Sequence, residues 1–425
     1  MDENRLFGNW KKALLLSLQL EKTESETRKS LDELASLVES LGAQVTERII
    51  QNRTQIHPAY YFGKGKLSFI KQALHQQQAD AVVIDASLSP KQTRNLEQPL
   101  KRPVLDRTQM ILEIFARNAR SSEAKLQIEL ARSEYLLPRL AGLWKHLDRE
   151  RGGIGVSRGG GEKQIEKDRQ YLRRRISRLK DEIKRIERER QTQKKRRMHC
   201  LNVTLVGYTN AGKSTIMNRL TNSHVLVENK LFATLDSTTR LMEEDSRPKI
   251  LLADTVGFIK NLPHELIAAF RSTLGTIQDA DLLLHIIDAT SDYEDHIETT
   301  QEVLEQMGAN CIPVIEVFNK IDRLSDQEVQ ILRKLNPHAV FASALNDGVE
   351  EIHAKIGDFF EKRMETVTIH LDYCHSRNLS EIYHYSRVDR IDYQEEGILM
   401  TLTSLPGNLN HLRQHIRPSA QEGMT

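Results

Sequence analysis

The chain has 425 residues, of which 39% are hydrophobic and 5% aromatic, and its 61 lysines and arginines against 59 acids leave a formal charge of +2. That length gives room for about two to four domains with buried cores, and with no apolar run of about 18 residues no transmembrane span is expected. Three widely spaced cysteines, Cys200, Cys311 and Cys374, match neither a disulfide framework nor a zinc pattern, and they fit a reducing cytoplasm. The charge is unevenly placed: residues 151–197 carry 18 Lys/Arg against 7 Asp/Glu, or +11, which leaves −9 for the rest.

In chain order, the first 117 residues read as a small α/β domain. The apolar run at 13–16 is too short for a signal sequence and lacks a cleavage pattern, so it reads as a strand. Further strands are expected at 45–50, 81–84 and 104–105. One helix carries Leu31, Leu34, Val38 and Leu41 and stops at Gly42, and another spans 67–78. Between strands, Tyr60-Tyr61-Phe62-Gly63-Lys64-Gly65-Lys66 is aromatic and basic, a loop for stacking on RNA bases or simply a packed one. It lacks the Gly-Lys-Ser/Thr spacing of a nucleotide loop.

Residues 118–197 read as a basic, antiparallel helical hairpin of coiled-coil type. Leu126, Leu130, Leu137, Leu140 and Trp144 recur at helical steps, with Pro138 set to kink or restart that helix, and Ile165, Leu172, Ile176, Leu179, Ile183 and Ile186 form a second seam. Between them lie six glycines, in Arg151-Gly152-Gly153-Ile154-Gly155-Val156-Ser157-Arg158-Gly159-Gly160-Gly161-Glu162. Glycine is costly in a helix, so this stretch is read as a flexible tip. A solvated coiled coil with a loose turn is the plain reading of it. A second nucleotide loop is disfavoured, because the segment follows a helix and not a strand. RNA contact is the reading preferred: slim glycines approach a crowded backbone while arginines neutralise phosphate and stack on bases, with Arg151, Gly152, Gly153, Arg158 and Gly160 as candidates.

Residues 198–364 read as a P-loop domain with a mostly parallel sheet. After the apolar run 201–206 stand Gly207, Tyr208, Thr209, Asn210, Ala211, Gly212, Lys213 and Ser214, and a helix-compatible stretch opens at Thr215. The glycines let backbone N–H groups converge on phosphate oxygens, Lys213 reaches the β/γ-phosphates and Ser214 ligates Mg²⁺, the expected cofactor. This loop alone does not separate ATP from GTP. The strand-end motifs Asp254-Thr255-Val256-Gly257, Asn319-Lys320-Ile321-Asp322 and Ser343-Ala344-Leu345 do. Asp322 accepts from guanine N1–H and N2–H₂, a donor pair adenine does not offer, while Asn319 meets the purine edge, Lys320 lies along the base and the backbone near Ala344 donates to O6. Asp254 is expected to hold Mg²⁺ through water and Gly257 N–H to contact the γ-phosphate. In the switch segment Phe232, Ala233, Thr234, Leu235, Asp236, Ser237, Thr238, Thr239, the threonines 234, 238 and 239 are all chemically able to ligate the metal. Phe258, after Gly257, occupies a position where many GTPases place the glutamine that orients the attacking water. No catalytic residue is assigned, and slow turnover stimulated by a macromolecular partner is expected.

A closing helix at 350–363 precedes a small α+β domain over 365–425, with strands at 367–371 and 398–402 and a helix at 379–385. His370, His375 and His384 are read as scattered histidines and not as a metal set.

On the motifs 152–155 and 159–162, the P-loop 207–214, and the segments 232–236, 254–257 and 319–322, the chain resembles the HflX family of ribosome-associated GTPases over nearly its whole length. The Ser157-Arg158 spacing in the glycine loop departs from that pattern. The resemblance implies Thr234 as the Mg²⁺ ligand partnered with Ser214, and a hydrophobic residue in place of the glutamine. A monomeric, cytoplasmic protein that binds GTP and GDP is expected, and the resemblance further implies binding to the large (50S) ribosomal subunit. The hairpin tip would reach ribosomal RNA, in a role of splitting or rescuing stalled ribosomes under stress. The competing reading is a GTP-dependent switch that docks a protein partner through its coiled-coil arm, with no RNA in its cycle.

Overall fold

The computed structural model describes residues 10–20, 23–140, 158–196, 200–221, 232, 238–243, 248–260, 266, 275–346 and 348–415. The first apolar run forms β1 (Lys12–Gln19), with Ala13, Leu14, Leu15 and Leu16 fully buried. A strand apolar on both faces belongs inside a parallel sheet covered by helices. It pairs in parallel with β2 (Gln44–Asn52) and β3 (Ala81–Ile84), and β4 (Val104–Asp106) completes the order β2-β1-β3-β4. The intervening helix α1 (Glu24–Ser40) starts on a capping box between Thr23 and Glu26 and ends before Gly42, whose φ is +83°. Helix α2 (Lys64–Gln76) takes in the basic part of the Tyr60–Lys66 loop, while Tyr61 and Phe62 are buried in the core. That loop is a packed one. Helix α3 (Pro90–Leu100), capped by Ser89 and Gln92, leads into β4.

Helix α4 (Arg107–Asn118) follows β4 directly, with Asp106 as its N-cap. Arg107 is buried between Asp85, at 2.8 Å, and Glu33, fastening α4 to the end of β3 and to α1. Helix α5 (Ser122–Leu136) and the long α6 (Arg158–Arg196) form the arm. The expected seam exists in part: Ile176, Leu179 and Ile183 of α6 pack with Leu126 and Leu130 of α5. Ion pairs Glu129–Arg175 and Glu134–Lys180 flank it. Glu129 and Arg175 each precede a seam residue on one edge, and Glu134 and Lys180, five residues further on, lie on the other edge, the like-with-like edge pairing of a helical hairpin. Helix α6 also begins at Arg158, so Gly159, Gly160 and Gly161 lie in its first turns and not in the tip loop. First-turn N–H groups have no partner within the helix, which makes that the cheapest place for glycine.

The second sheet holds six strands in the order β10-β9-β8-β5-β7-β6: β5 (Leu201–Val206), β6 (Thr238–Leu241), β7 (Ile250–Asp254), β8 (Leu282–Asp288), β9 (Val314–Asn319) and β10 (Val340–Phe341). All pairs are parallel except β6 with β7. The connections leave β5 toward β7 and later return to β8, so the crevice between β5 and β8 is the topological switch point where ligands collect in such sheets. Helix α7 (Lys213–Leu220) follows β5, α8 (Tyr293–Gln306) follows β8, α9 (Asp326–Leu335) follows β9, and α10 (Val349–Glu361) closes the layer.

The tail forms an antiparallel sheet of order β11-β13-β12, from β11 (Glu365–Asp372), β12 (Arg387–Tyr393) and β13 (Gly397–Ser404). Helices α11 (Leu379–Tyr385) and α12 (Pro406–His415) cover one face through Ile382 and Leu412, which meet Leu371, Met400 and Leu402.

Contacts divide the chain into two compact units. One comprises 1–187 with 229–235 and 261–271; the other comprises 188–228, 236–260 and 272–425. Among the described residues no helix is long and apolar enough to cross a membrane.

Candidate functional site

The phosphate loop leaves the end of β5 and turns into α7 at Gly212, whose φ is +97° and where a Cβ would lie 2.2 Å from Asn319 Nδ2. No side chain caps that helix start, so its first N–H groups face the loop. Lys213 is buried, and its Nζ donates to the carbonyls of Gly207 at 3.1 Å and Tyr208 at 2.8 Å. Burial pushes its ammonium down to about 8, with the Asp254 carboxylate acting in the opposite sense. Ser214 Oγ donates to Asp254 Oδ2 at 2.5 Å, which joins the P-loop helix to the end of β7.

Gly257 packs against the same loop. A Cβ there would sit 2.7 Å from Thr209 Cα and 3.1 Å from Lys213 Nζ, so this close approach excludes any side chain. Phe258 is buried; its N–H donates to Gly207 O at 3.1 Å, and its carbonyl accepts from Thr209 N–H at 2.8 Å. The position after Gly257 is thus zipped to the P-loop with its ring in the core. Thr255 is structural, its hydroxyl donating to Leu205 O, and Val256 is buried.

The base-side residues are brought together as well. Asp322 is exposed, and its Oδ1 accepts from Ser343 Oγ at 2.6 Å, which fixes the carboxylate. Lys320, at φ +66°, donates from Nζ to Asn210 O at 2.8 Å and to Asp288 Oδ2 at 2.5 Å. Asn319 is buried, with Nδ2 donating to Ala211 O at 2.8 Å and Oδ1 accepting from Ala344 N–H at 3.0 Å. Sequence reading aimed this amide at the purine edge. Both its ends tie the P-loop to the 343–345 loop, and the Ala344 N–H, expected at O6, donates to the same amide. Leu345 is exposed, and Ile321 opens a short helical turn.

Of the switch segment, Phe232 is described. It is buried, edge-on to Phe115 of α4 at 4.5 Å between ring centroids, and its carbonyl accepts from Asn118 Nδ2 at 2.8 Å. Ala233, Thr234, Leu235 and Asp236 lie outside the described residues. Thr238 and Thr239 begin β6, opposite Asp254 and Ala253, and Thr238 Oγ1 points at Met217 Sδ. Those two threonines are therefore strand residues. Arg151, Gly152 and Gly153 lie outside the described residues; Arg158 and Gly160 belong to the start of α6.

Three further residues complete the site, and sequence reading missed them. Asp288, at the end of β8, anchors Lys320. His296 stacks on the Tyr208 ring at 3.7 Å, and Tyr208 Oη accepts from Lys260 N–H. His285 is buried in β8, and burial, aided by the charges of Lys213 and His296, pulls it down to about 4. Of these, Asp288 alone left a sequence signal, as the polar residue that ends an apolar strand.

Three family profiles match in succession: "GTP-binding GTPase N-terminal" over 28–116, "GTP-binding GTPase Middle Region" over 118–197 and "50S ribosome-binding GTPase" over 202–320. A GTPase HflX of Caldanaerobacter subterraneus is 42% identical, covering 88% of this chain and 87% of its own length. The GTPase HflX of Escherichia coli is 40% identical, covering 90% and 91%. A solved GTP-binding protein of Sulfolobus solfataricus in complex with GDP is 27% identical, over 82% of this chain and 98% of its own, with a TM-score of 0.43. Whole-length identity at this level, on a chain whose P-loop, Asp254 and Asp322 meet in one crevice, shows that it is a GTP-binding, GTP-hydrolysing protein and belongs to the HflX family of GTPases.

Proposed function

We propose that this GTPase binds the large ribosomal subunit through its basic helical arm and splits or rescues stalled ribosomes under stress, with hydrolysis stimulated by the ribosome. The observation that carries this reading is the position of Phe258, buried and zipped to the P-loop where a water-orienting side chain would stand. A site built in this way takes the missing group from a partner. The +11 charge of residues 151–197 supports RNA as that partner, because clustered Lys/Arg gain affinity by releasing phosphate counterions.

In this reading the N–H groups of residues 207–215 cradle the phosphates. Lys213 Nζ exchanges the carbonyls of Gly207 and Tyr208 for β/γ-phosphate oxygens, and Gly257 N–H meets the γ-phosphate. Asp322, held by Ser343, accepts from guanine N1–H and N2–H₂ while the Lys320 stem lies along the base. The convergence of the Ser214 hydroxyl and the Asp254 carboxylate is a hard-oxygen donor set that fits Mg²⁺. Ser214 would hold it directly and Asp254 through water, with Thr234 added by family resemblance. When bound, Mg²⁺ supplies charge neutralisation at the β/γ-phosphates.

Pelleting with purified large subunits across a salt series tests the arm. Binding with a non-hydrolysable GTP analogue is expected to exceed binding with GDP, to fall steeply as salt rises and to vanish when residues 152–161 are deleted. Nucleotide-dependent binding that survives both that deletion and nuclease treatment would favour a protein-docking switch instead.

A further inference from the structure

The tail domain carries a group of side chains that the GTPase site does not use. Asp372 ends β11, and the turn that follows, Tyr373–Asn378, brings Cys374 and His375 back beside it. One ligand atom from each of Asp372, Cys374 and His375 lies within 4.8 Å of the others. Cys374 Sγ is 3.2 Å from His375 Nδ1, and His375 Nδ1 is 4.0 Å from Asp372 Oδ2. Around a tetrahedral Zn²⁺, with Zn–S and Zn–N bonds of about 2.3 and 2.0 Å, neighbouring ligand atoms stand about 3.5 Å apart. The two edges at His375 therefore lie within about half an ångström of that spacing, and the third, from Cys374 to Asp372, is no longer than 4.8 Å.

His370 adds a second, independent feature. It shares the outward face of β11 with Asp372, two residues on, and its ring lies against the Gly397 backbone, where a Cβ would be 2.7 Å from Cε1. This packing turns His370 Nδ1 toward Asp372 Oδ1 at 3.3 Å. An imidazole bonded to the second oxygen of a ligating carboxylate is the outer-shell arrangement that orients metal ligands. His384 takes no part; it packs edge-on to Tyr385.

We infer that the end of β11 and its turn form a site for a borderline-soft divalent cation, with Zn²⁺ preferred, held by Asp372, Cys374 and His375. His370 orients the carboxylate as a positioning residue, and the exposed fourth position takes water. A thiolate and an imidazole select Zn²⁺ over Mg²⁺, which the hard-oxygen set at Ser214 and Asp254 suits. The cation would staple the turn to the sheet of a domain whose core is small, as structural metals do in short domains.

The test uses the full chain, stripped with chelator and free of nucleotide, titrated with Co²⁺ as the spectroscopic substitute for Zn²⁺. Expected are one equivalent bound with a thiolate-to-cobalt absorption band, displacement by stoichiometric Zn²⁺, and no displacement by excess Mg²⁺. Cys374→Ser should abolish the band, while Cys311→Ser, which removes the exposed thiol of the GTPase region, should leave it unchanged. His370→Gln should keep the band and weaken affinity by about ten- to a hundredfold. Absence of the band in the parent chain, its survival in Cys374→Ser, or displacement by Mg²⁺ would each overturn the assignment.

Discussion

Ser343 Oγ holds the Asp322 carboxylate at 2.6 Å, and in the proposed reading guanine discrimination rests on two hydrogen bonds to this ionised acceptor. Inosine lacks the 2-amino group and forfeits one of them, worth about 1.5–3 kcal/mol for a bond to a charged group. ITP is therefore expected to bind about ten- to a hundredfold more weakly than GTP, and Asp322→Ala to bind the two alike, as read by competition against a fluorescent GDP analogue. A variant that still separates them would remove Asp322 from base recognition. A second residue-scale effect concerns His285, held near 4 by burial and by the positive charges of Lys213 and His296. Its folded value lies below the unfolded one near 6.5, so the stability it contributes is complete above about pH 6.5 and is lost as pH falls toward 4. From pH 7 to pH 5 this group alone should remove about 2 kcal/mol of folding stability, and His285→Gln should flatten that part of the profile in urea titrations. An identical pH profile in the variant would mean that His285 does not titrate as described.

At the scale of elements, the site is three strand-end loops tied together by one buried amide. Asn319 closes β9, and its side chain joins Ala211 of the P-loop to Ala344 after β10. Asn319→Ala would leave a buried carbonyl and a buried N–H without this partner, at a cost of about 1–3 kcal/mol. The loss is expected in the nucleotide-free protein, measured by denaturant midpoint; unchanged stability there would return Asn319 to a role in base contact alone. This strut was illegible in the sequence for a physical reason. The phosphate loop announces itself because contiguous N–H groups, Lys213 and Ser214 must meet one ligand at fixed spacing. The partners of Asn319, Lys320 and Tyr208 lie far away along the chain and come together only when strands align. The parallel strands were legible from apolar runs such as β1 and β8. Edge strand β6, four residues with polar Thr238, Thr239 and Arg240, carries no such run and reads from sequence as part of the switch loop. Asp372, Cys374 and His375 stand within four residues, but an extended chain sends alternate side chains to opposite faces, and only the turn after β11 brings their ligand atoms together. In the arm, heptad steps located the seam of α6 but did not name the ion pairs Glu129–Arg175 and Glu134–Lys180 on its two edges, which need both helices in place.

For the whole molecule, a nearly neutral chain conceals a charge of +11 on residues 151–197 against −9 on the remainder, and the GTPase site places buried Phe258 where a water-orienting side chain would stand. The two features have one explanation if the arm delivers the site to a partner that completes it. GTP turnover with and without purified large ribosomal subunits tests this most directly, comparing the intact chain, a chain lacking residues 152–161, and Lys213→Ala. Slow turnover of the intact chain, raised many-fold by subunits, is predicted. That stimulation should be lost in the tip deletion while basal turnover persists, and Lys213→Ala should stay inactive throughout. Turnover that is fast alone and indifferent to subunits, or stimulation that is equal without the tip, would contradict the account.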